Sequence, residues 1–223
     1  MAGRAYLCGM AKLEVLQKSW IELAHRVAPG KTNWAAKVWR ELQKHYGHKS
    51  RHYHNFDHLA AMLTLIDQHE NQLDRPDLLR LAVWFHDIIY RFTAKDNEEK
   101  SAVRALERLS EIDFPKEEAE VVNELILRTK DHFQVRDDES SDLQFFLDCD
   151  LGILGVGEEA YGRYMKAIRK EYRLVPDLLY KPGRRKVLQQ YAAQPWIFRT
   201  PWFREHHEER AKLNLAREIR ALS

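Results

Sequence analysis

The stretch Leu78-Leu79-Arg80-Leu81-Ala82-Val83-Trp84-Phe85-His86-Asp87-Ile88-Ile89-Tyr90 decides how this chain is read. Apolar residues fill almost every position up to Phe85, so a helix buried on all sides is expected, opened by Pro76. Its far end then places an imidazole beside a carboxylate. Burying an ionised carboxylate is costly unless a cation compensates it, and Arg80 and Arg91, the nearest guanidinium groups in sequence, do not adjoin the pair. His86 and Asp87 therefore read in one of two ways: a core histidine bonded to a helix-capping aspartate, or two ligands of a metal ion.

Helical periodicity continues on both sides of this segment, and strand alternation is nearly absent. Upstream, residues 13–27 form an amphipathic helix ended by Pro29-Gly30, and Asn33 is placed to cap a second helix with Trp34, Val38 and Leu42 inward. The loop 47–55 leads into a third, with Leu59, Met62, Leu63 and Ile66 inward. Downstream, Asp96 and Glu99 have capping-box spacing. Pro115 suits the start of a helix running to His132, and Ser140-Ser141 starts another through Asp150. A tyrosine-rich helix over 158–172 follows, with its tyrosines expected in the core. The proline-rich segment 176–201 is expected to be partly loop around a short helix at 184–191, and a last helix covers 205–222. The prediction is an all-α fold of eight to ten helices in a single domain over 1–223. The motif-bearing core spans 50–175, with N-terminal helices over 11–46 and a C-terminal helical extension over 176–223 packed on it.

The 223 residues, 44% hydrophobic, can bury a substantial core. A net charge of +2, from 36 basic and 34 acidic residues, gives no reason to expect a nucleic-acid or membrane partner. Cys8 and Cys149 form no disulfide framework and suit a reducing, cytoplasmic setting. The N-terminus shows no secretory pattern, and Met10 offers an alternative start that would leave 1–9 as a tail.

Three more polar residues occupy positions where apolar ones are expected. His58 shares a helix face with Met62 and Leu65. Asp150 interrupts the stripe Leu143, Phe146, Leu147, Ile153, Leu154, whereas Asp148 lies about 200° away and suits a local bond or the support of a metal ligand. His132 continues the face of Val122, Leu125 and Thr129. Singly, His58 is better explained as a bonded core histidine and His132 fairly as a helix-end one, whereas an aspartate in the place of Asp150 is costly unless it binds a cation. Together, His58, His86, Asp87 and Asp150 make a mixed imidazole–carboxylate set. That set suits one Mn, Co, Ni, Fe or Mg ion better than a closed structural zinc site. No nucleophile triad or glycine-rich phosphate loop competes with it.

The ordered set Tyr53-His54-Asn55-x-x-His58-Leu59, Trp84-Phe85-His86-Asp87-x-x-Tyr90, Asn97-Glu98-Glu99-x-Ser101-Ala102, Thr129-x-x-His132, Asp148-x-Asp150-Leu151 and Ile168-Arg169-x-Glu171-Tyr172 resembles the HD superfamily of metal-dependent phosphohydrolases. It is most similar to a bacterial subgroup of predicted HD hydrolases. The resemblance implies a central metal site on an all-α fold and hydrolysis of a phosphate ester or anhydride, often of a nucleotide. Acidic residues that assist proton transfer shortly after the HD pair in some relatives are replaced here by Ile88, Ile89 and Tyr90. That role is assigned to Glu98, as general acid/base or orienter of the attacking water, with Asp96 and Glu99 left as capping residues.

His54, Asn55, His132 and Arg169 are the candidate contacts to a small phosphorylated substrate. The basic run Lys181–Lys186 reads as solvated surface. Two other readings stay open. One is a di-iron oxygenase, with His54 or His132 recruiting a second metal; the other is a non-catalytic, metal-stabilised nucleotide-binding module. Metal counting with oxygen uptake discriminates the first, and tight nucleotide binding without turnover the second. The long last helix leaves room for a homo-oligomer.

Overall fold

Pro76 starts helix α4 (Pro76–Phe85), in which every residue from Leu78 to Phe85 is buried. The sequence dictates this: a helix with no polar face must be covered all round. The computed structural model describes residues 2–133 and 139–222, with side chains from Lys12 onward, and among them the regular elements are ten α-helices and two short 3-10 turns, with no strand. The chain divides into two compact units, Met1–His132 and Phe133–Ser223.

In the first unit α4 packs against α1 (Ala2–Val27), α3 (Phe56–His69), α5 (Asn97–Ser110) and α6 (Lys116–Arg128), while α2 (Thr32–Tyr46) lies on α1. Trp84, fully buried, takes Trp20 at 5.8 Å and Trp39 at 6.1 Å in edge-on contact. Such pairs add about 0.5–1.5 kcal/mol each beyond their burial. Arg80, the one charged residue of α4 inside this core, donates to Asp67, Glu70 and Asp77. Asp77 also receives a fork of two bonds from Arg26. Those bonds, opposed by burial and helped by Arg80, hold the Asp77 carboxyl below its usual range.

Several helix boundaries differ from those expected. Helix α1 begins at Ala2, so residues 2–9 continue the first helix rather than forming a tail; the side chain of Cys8 lies outside the described residues. Helix α2 opens at Thr32 with Lys31 at its cap, so Asn33 lies inside the first turn. Asp96 occupies the cap of α5 without a side-chain capping bond. Ion pairs take its place: Asp96 with Lys100 at 2.8 Å, and Glu99 with Lys130. Helix α6 stops at Arg128, with Thr129 bonding back to the Ile126 carbonyl through its hydroxyl, so His132 sits in the following turn and not on the α6 face.

The second unit holds α7 (Ser141–Leu151), α8 (Glu158–Glu171), α9 (Asp177–Ala192) and α10 (Pro201–Ala221). Helix α9 is longer than the expected short helix and carries Pro182 internally, and α10 starts four residues early, on Pro201. Pro201, at the start of α10, loses little, because the first-turn amides have no intrahelical partner. Tyr161, Tyr164 and Ile168 of α8 are buried, as expected for a core stripe. Arg184 departs from its exposed neighbours Lys181 and Lys186: it pairs at 2.8 Å with buried Glu218, which also accepts from Tyr161. The 3-10 turn Gly152–Gly155 passes so close to α10 that a Cβ on Gly155 would lie 2.5 Å from His207 Cβ.

Asp148 is the fully buried aspartate of α7. It accepts from the Arg199 amide at 2.8 Å and from the amide and hydroxyl of Thr200, both at 2.7 Å, anchoring the cap of α10. Burial outweighs these bonds and raises its carboxyl from the ordinary 3.8 to about 6. The folded protein therefore binds this proton more tightly than the unfolded chain. The stability it contributes is complete below pH ~4 and lost as pH rises through ~6, on the order of 2–3 kcal/mol. Urea unfolding of the wild type and Asp148→Asn across pH 4–7 is expected to show the wild type losing that amount relative to the variant. A difference independent of pH would contradict it.

Candidate metal centre

The end of α4 builds the site. A helix terminus leaves its last carbonyls without intrahelical partners, and buried ones must find others. Here every one is accounted for. The Ala82 carbonyl accepts from the His86 amide, the Val83 carbonyl from His86 Nδ1 at 2.9 Å, the Trp84 carbonyl from the Tyr46 hydroxyl, and the Phe85 carbonyl from the Ile88 amide. Beyond the helix, the Asp87 and Ile88 carbonyls accept from the two Nη atoms of Arg51, at 2.5 and 2.8 Å. Residues 89–91 are pinned from α5: Ser101 Oγ bonds both the amide and the carbonyl of Ile89, and the Asn97 side chain does the same for Arg91. The polar residues at 97 and 101, one helical turn apart and both buried, are thus spent on the turn that carries the histidine–aspartate pair.

The bond to the Val83 carbonyl has a chemical consequence. A carbonyl only accepts, so His86 Nδ1 carries the proton and Nε2 presents its lone pair. His58 is brought opposite by α3. Asn55 caps that helix by accepting from the Asp57 amide, which places His58 in the first turn with its ring buried. His58 Nδ1 lies 3.2 Å from the Tyr53 hydroxyl. Its Nε2 is 3.2 Å from His86 Nε2, and the Asp87 carboxylate is 3.2 Å from His86 Nε2 and 4.0 Å from His58 Nε2. Two bare lone pairs at 3.2 Å repel, so a proton or a cation must lie between them. With metal–nitrogen bonds of about 2.0–2.1 Å, adjacent ligands stand roughly 3.0–3.4 Å apart, which the His58–His86 and His86–Asp87 spacings match. His58, His86 and Asp87 form a group able to hold a metal ion.

The electrostatics agree. Burial by itself would raise the Asp87 carboxyl, but the nearby imidazoles of His86, His54 and His58, when protonated, override it and hold the group well below the usual range. A carboxylate kept ionised while 14% exposed is a ready cation ligand. Glu98, half-buried in the first turn of α5, is pushed the other way, by burial and then by the negative charge of Asp87, so it lies within the field of the site. His54 stacks on Tyr90 at 4.0 Å and meets His58 edge-on at 6.2 Å.

Not every residue singled out from the sequence joins this group. Asn55 is engaged as the α3 cap and donates to the His52 carbonyl. His132 is half-buried in the turn after α6. Asp150 stands half-buried on α7 in the second unit, and the stripe argument for it weakens because α7 is buried on most of its circumference, Asp148 included. Arg169 is committed at the end of α8, donating to Asp177 and to the Tyr172 and Val175 carbonyls and lying 4.6 Å over the Tyr180 ring. Arg51, Asn97 and Ser101 were unassigned by sequence reasoning. For the last two the available signal was their place in the motif Asn97-Glu98-Glu99-x-Ser101-Ala102, which carried no role for them; Arg51 had none.

No family model matches the chain, and comparison with curated proteins and with solved structures likewise returns no match. No described helix is long and apolar enough to cross a membrane.

Proposed function

We propose that this protein is a divalent-metal-dependent phosphohydrolase acting on the phosphate ester or anhydride of a small molecule such as a nucleotide. The observation that carries the reading is the convergence of His58 Nε2, His86 Nε2 and the Asp87 carboxylate within bonding range of one point. The resemblance of the ordered motifs to HD phosphohydrolases supports it. His58, His86 and Asp87 hold the ion. A mixed nitrogen–oxygen set with open positions favours Mn, Co, Ni, Fe or Mg over a closed zinc site. When bound, such an ion lowers the pKa of coordinated water and polarises a phosphoryl oxygen.

The chain's own groups supply the rest. Glu98 exchanges the proton of the reacting water or leaving group. His54 and His132 hold phosphate oxygens, while Asn55 donates to the His52 carbonyl and Arg169 to Asp177 and the Tyr172 and Val175 carbonyls. Phosphate release from a panel of nucleotides and sugar phosphates, with Mn, Co, Ni, Mg and Zn tried separately, is expected to show turnover that chelation abolishes and re-addition of one ion restores. Turnover indifferent to chelation, or none on any substrate, rejects the reading.

A further inference from the structure

We infer that Arg51 is a positioning residue for the metal group, and that the centre's affinity for its ion depends on the forked shape of this side chain rather than on its charge. The inference rests on the metal-binding reading above. Arg51 is 8% exposed, unusually deep for a guanidinium that faces backbone. One Nη reaches the Asp87 carbonyl at 2.5 Å and the His54 carbonyl at 3.4 Å, and the other reaches the Ile88 carbonyl at 2.8 Å. The guanidinium carbon lies 4.9 Å from the Tyr46 ring and 5.7 Å from the Tyr90 ring. The plane is therefore held by aromatic rings while its edge donates to two successive carbonyls.

Two consequences follow. Holding the carbonyls of residues 87 and 88 fixes the peptide planes after Asp87, and with them the direction from which its carboxylate departs. The contact to His54 joins the segment just before α3, which carries His58, to the turn just after α4, which carries His86 and Asp87. One side chain thus ties together the two backbone segments that supply all three converging ligands. A lysine keeps the charge but presents a single nitrogen, which cannot span the two carbonyls in the fork geometry.

The test is titration of the full chain with Mn, followed by calorimetry, for the wild type, Arg51→Lys, Arg51→Ala and Leu109→Ala. Leu109, 1% exposed on α5, provides a variant that loses core packing without touching the ligands. Arg51→Lys is expected to bind Mn about 10–100-fold more weakly, the range found when groups supporting metal ligands are removed, and Leu109→Ala as tightly as the wild type. Arg51→Ala is expected to recover affinity when ethylguanidinium is added. Wild-type affinity in Arg51→Lys, equal weakening in Leu109→Ala, or no recovery in Arg51→Ala overturns the inference. A wild type that binds none of Mn, Co, Ni or Mg overturns the metal reading itself, whatever the variants do.

Discussion

Replacing Asp87 by alanine is expected to weaken divalent-metal binding by more than about 100-fold and to remove metal-dependent phosphate release, with the helical fold retained. The loss should exceed the 10–100-fold typical of supporting groups because Asp87 is itself one of the converging donors. The fold should survive because the backbone at this position is held by other groups: the Arg51 fork on the Asp87 and Ile88 carbonyls and the Ser101 bonds to Ile89. Removing the carboxylate also removes a partner of the two imidazoles without orphaning a backbone donor. Calorimetric metal titration with circular dichroism of the same sample checks both halves. Full metal binding and activity in Asp87→Ala would sink the proposed function.

Replacing Glu98 by glutamine is expected to lower kcat by about 10²–10⁴-fold, the range for loss of a positioned general acid or base. Metal affinity should stay at the wild-type level, because Glu98 is not among the converging donors. Stability should change by no more than about 0.3–1 kcal/mol, the usual worth of a carboxylate in the first turn of a helix. Burial and the adjacent Asp87 charge raise the Glu98 carboxyl above its ordinary 4.5, so it titrates nearer to neutrality than an exposed glutamate. The wild-type pH–rate profile should therefore contain a limb from this group that the glutamine variant lacks. Near-normal turnover in Glu98→Gln, or an unchanged profile, would remove Glu98 from the chemistry and leave it as a residue that favours the α5 N-terminus.

Local rules carried the reading a long way where a residue's neighbours in sequence determine its surroundings. The all-α architecture followed from 3.6-residue periodicity, and the burial of α4 from the absence of any polar face. The inward orientation of His58 followed from its spacing to Met62, and both are buried. The same rules failed at helix ends and at α7. The α6 helix stops short of His132 because Thr129 and the turn beyond it bond back to the last carbonyls, a choice that periodicity does not register. On α7 the stripe argument favoured Asp150, yet Asp148 is the deeper of the two, because its bonding partners are amides some fifty residues further on.

By itself the sequence determined that this chain is helical, that α4 is enclosed, and that His58, His86 and Asp87 are polar residues with a reason to be where they are. Those properties depend on spacing along the chain, which sequence displays directly. Only the tertiary structure decided that two imidazole nitrogens and a carboxylate meet within 4.0 Å, and that Arg51, Asn97 and Ser101 hold the turn that makes them meet. Backbone carbonyls left over at a helix end carry no signature in the sequence. Which side chain satisfies them is settled by distance in space, so the clamp around the histidine–aspartate pair became legible only once α4 had its neighbours.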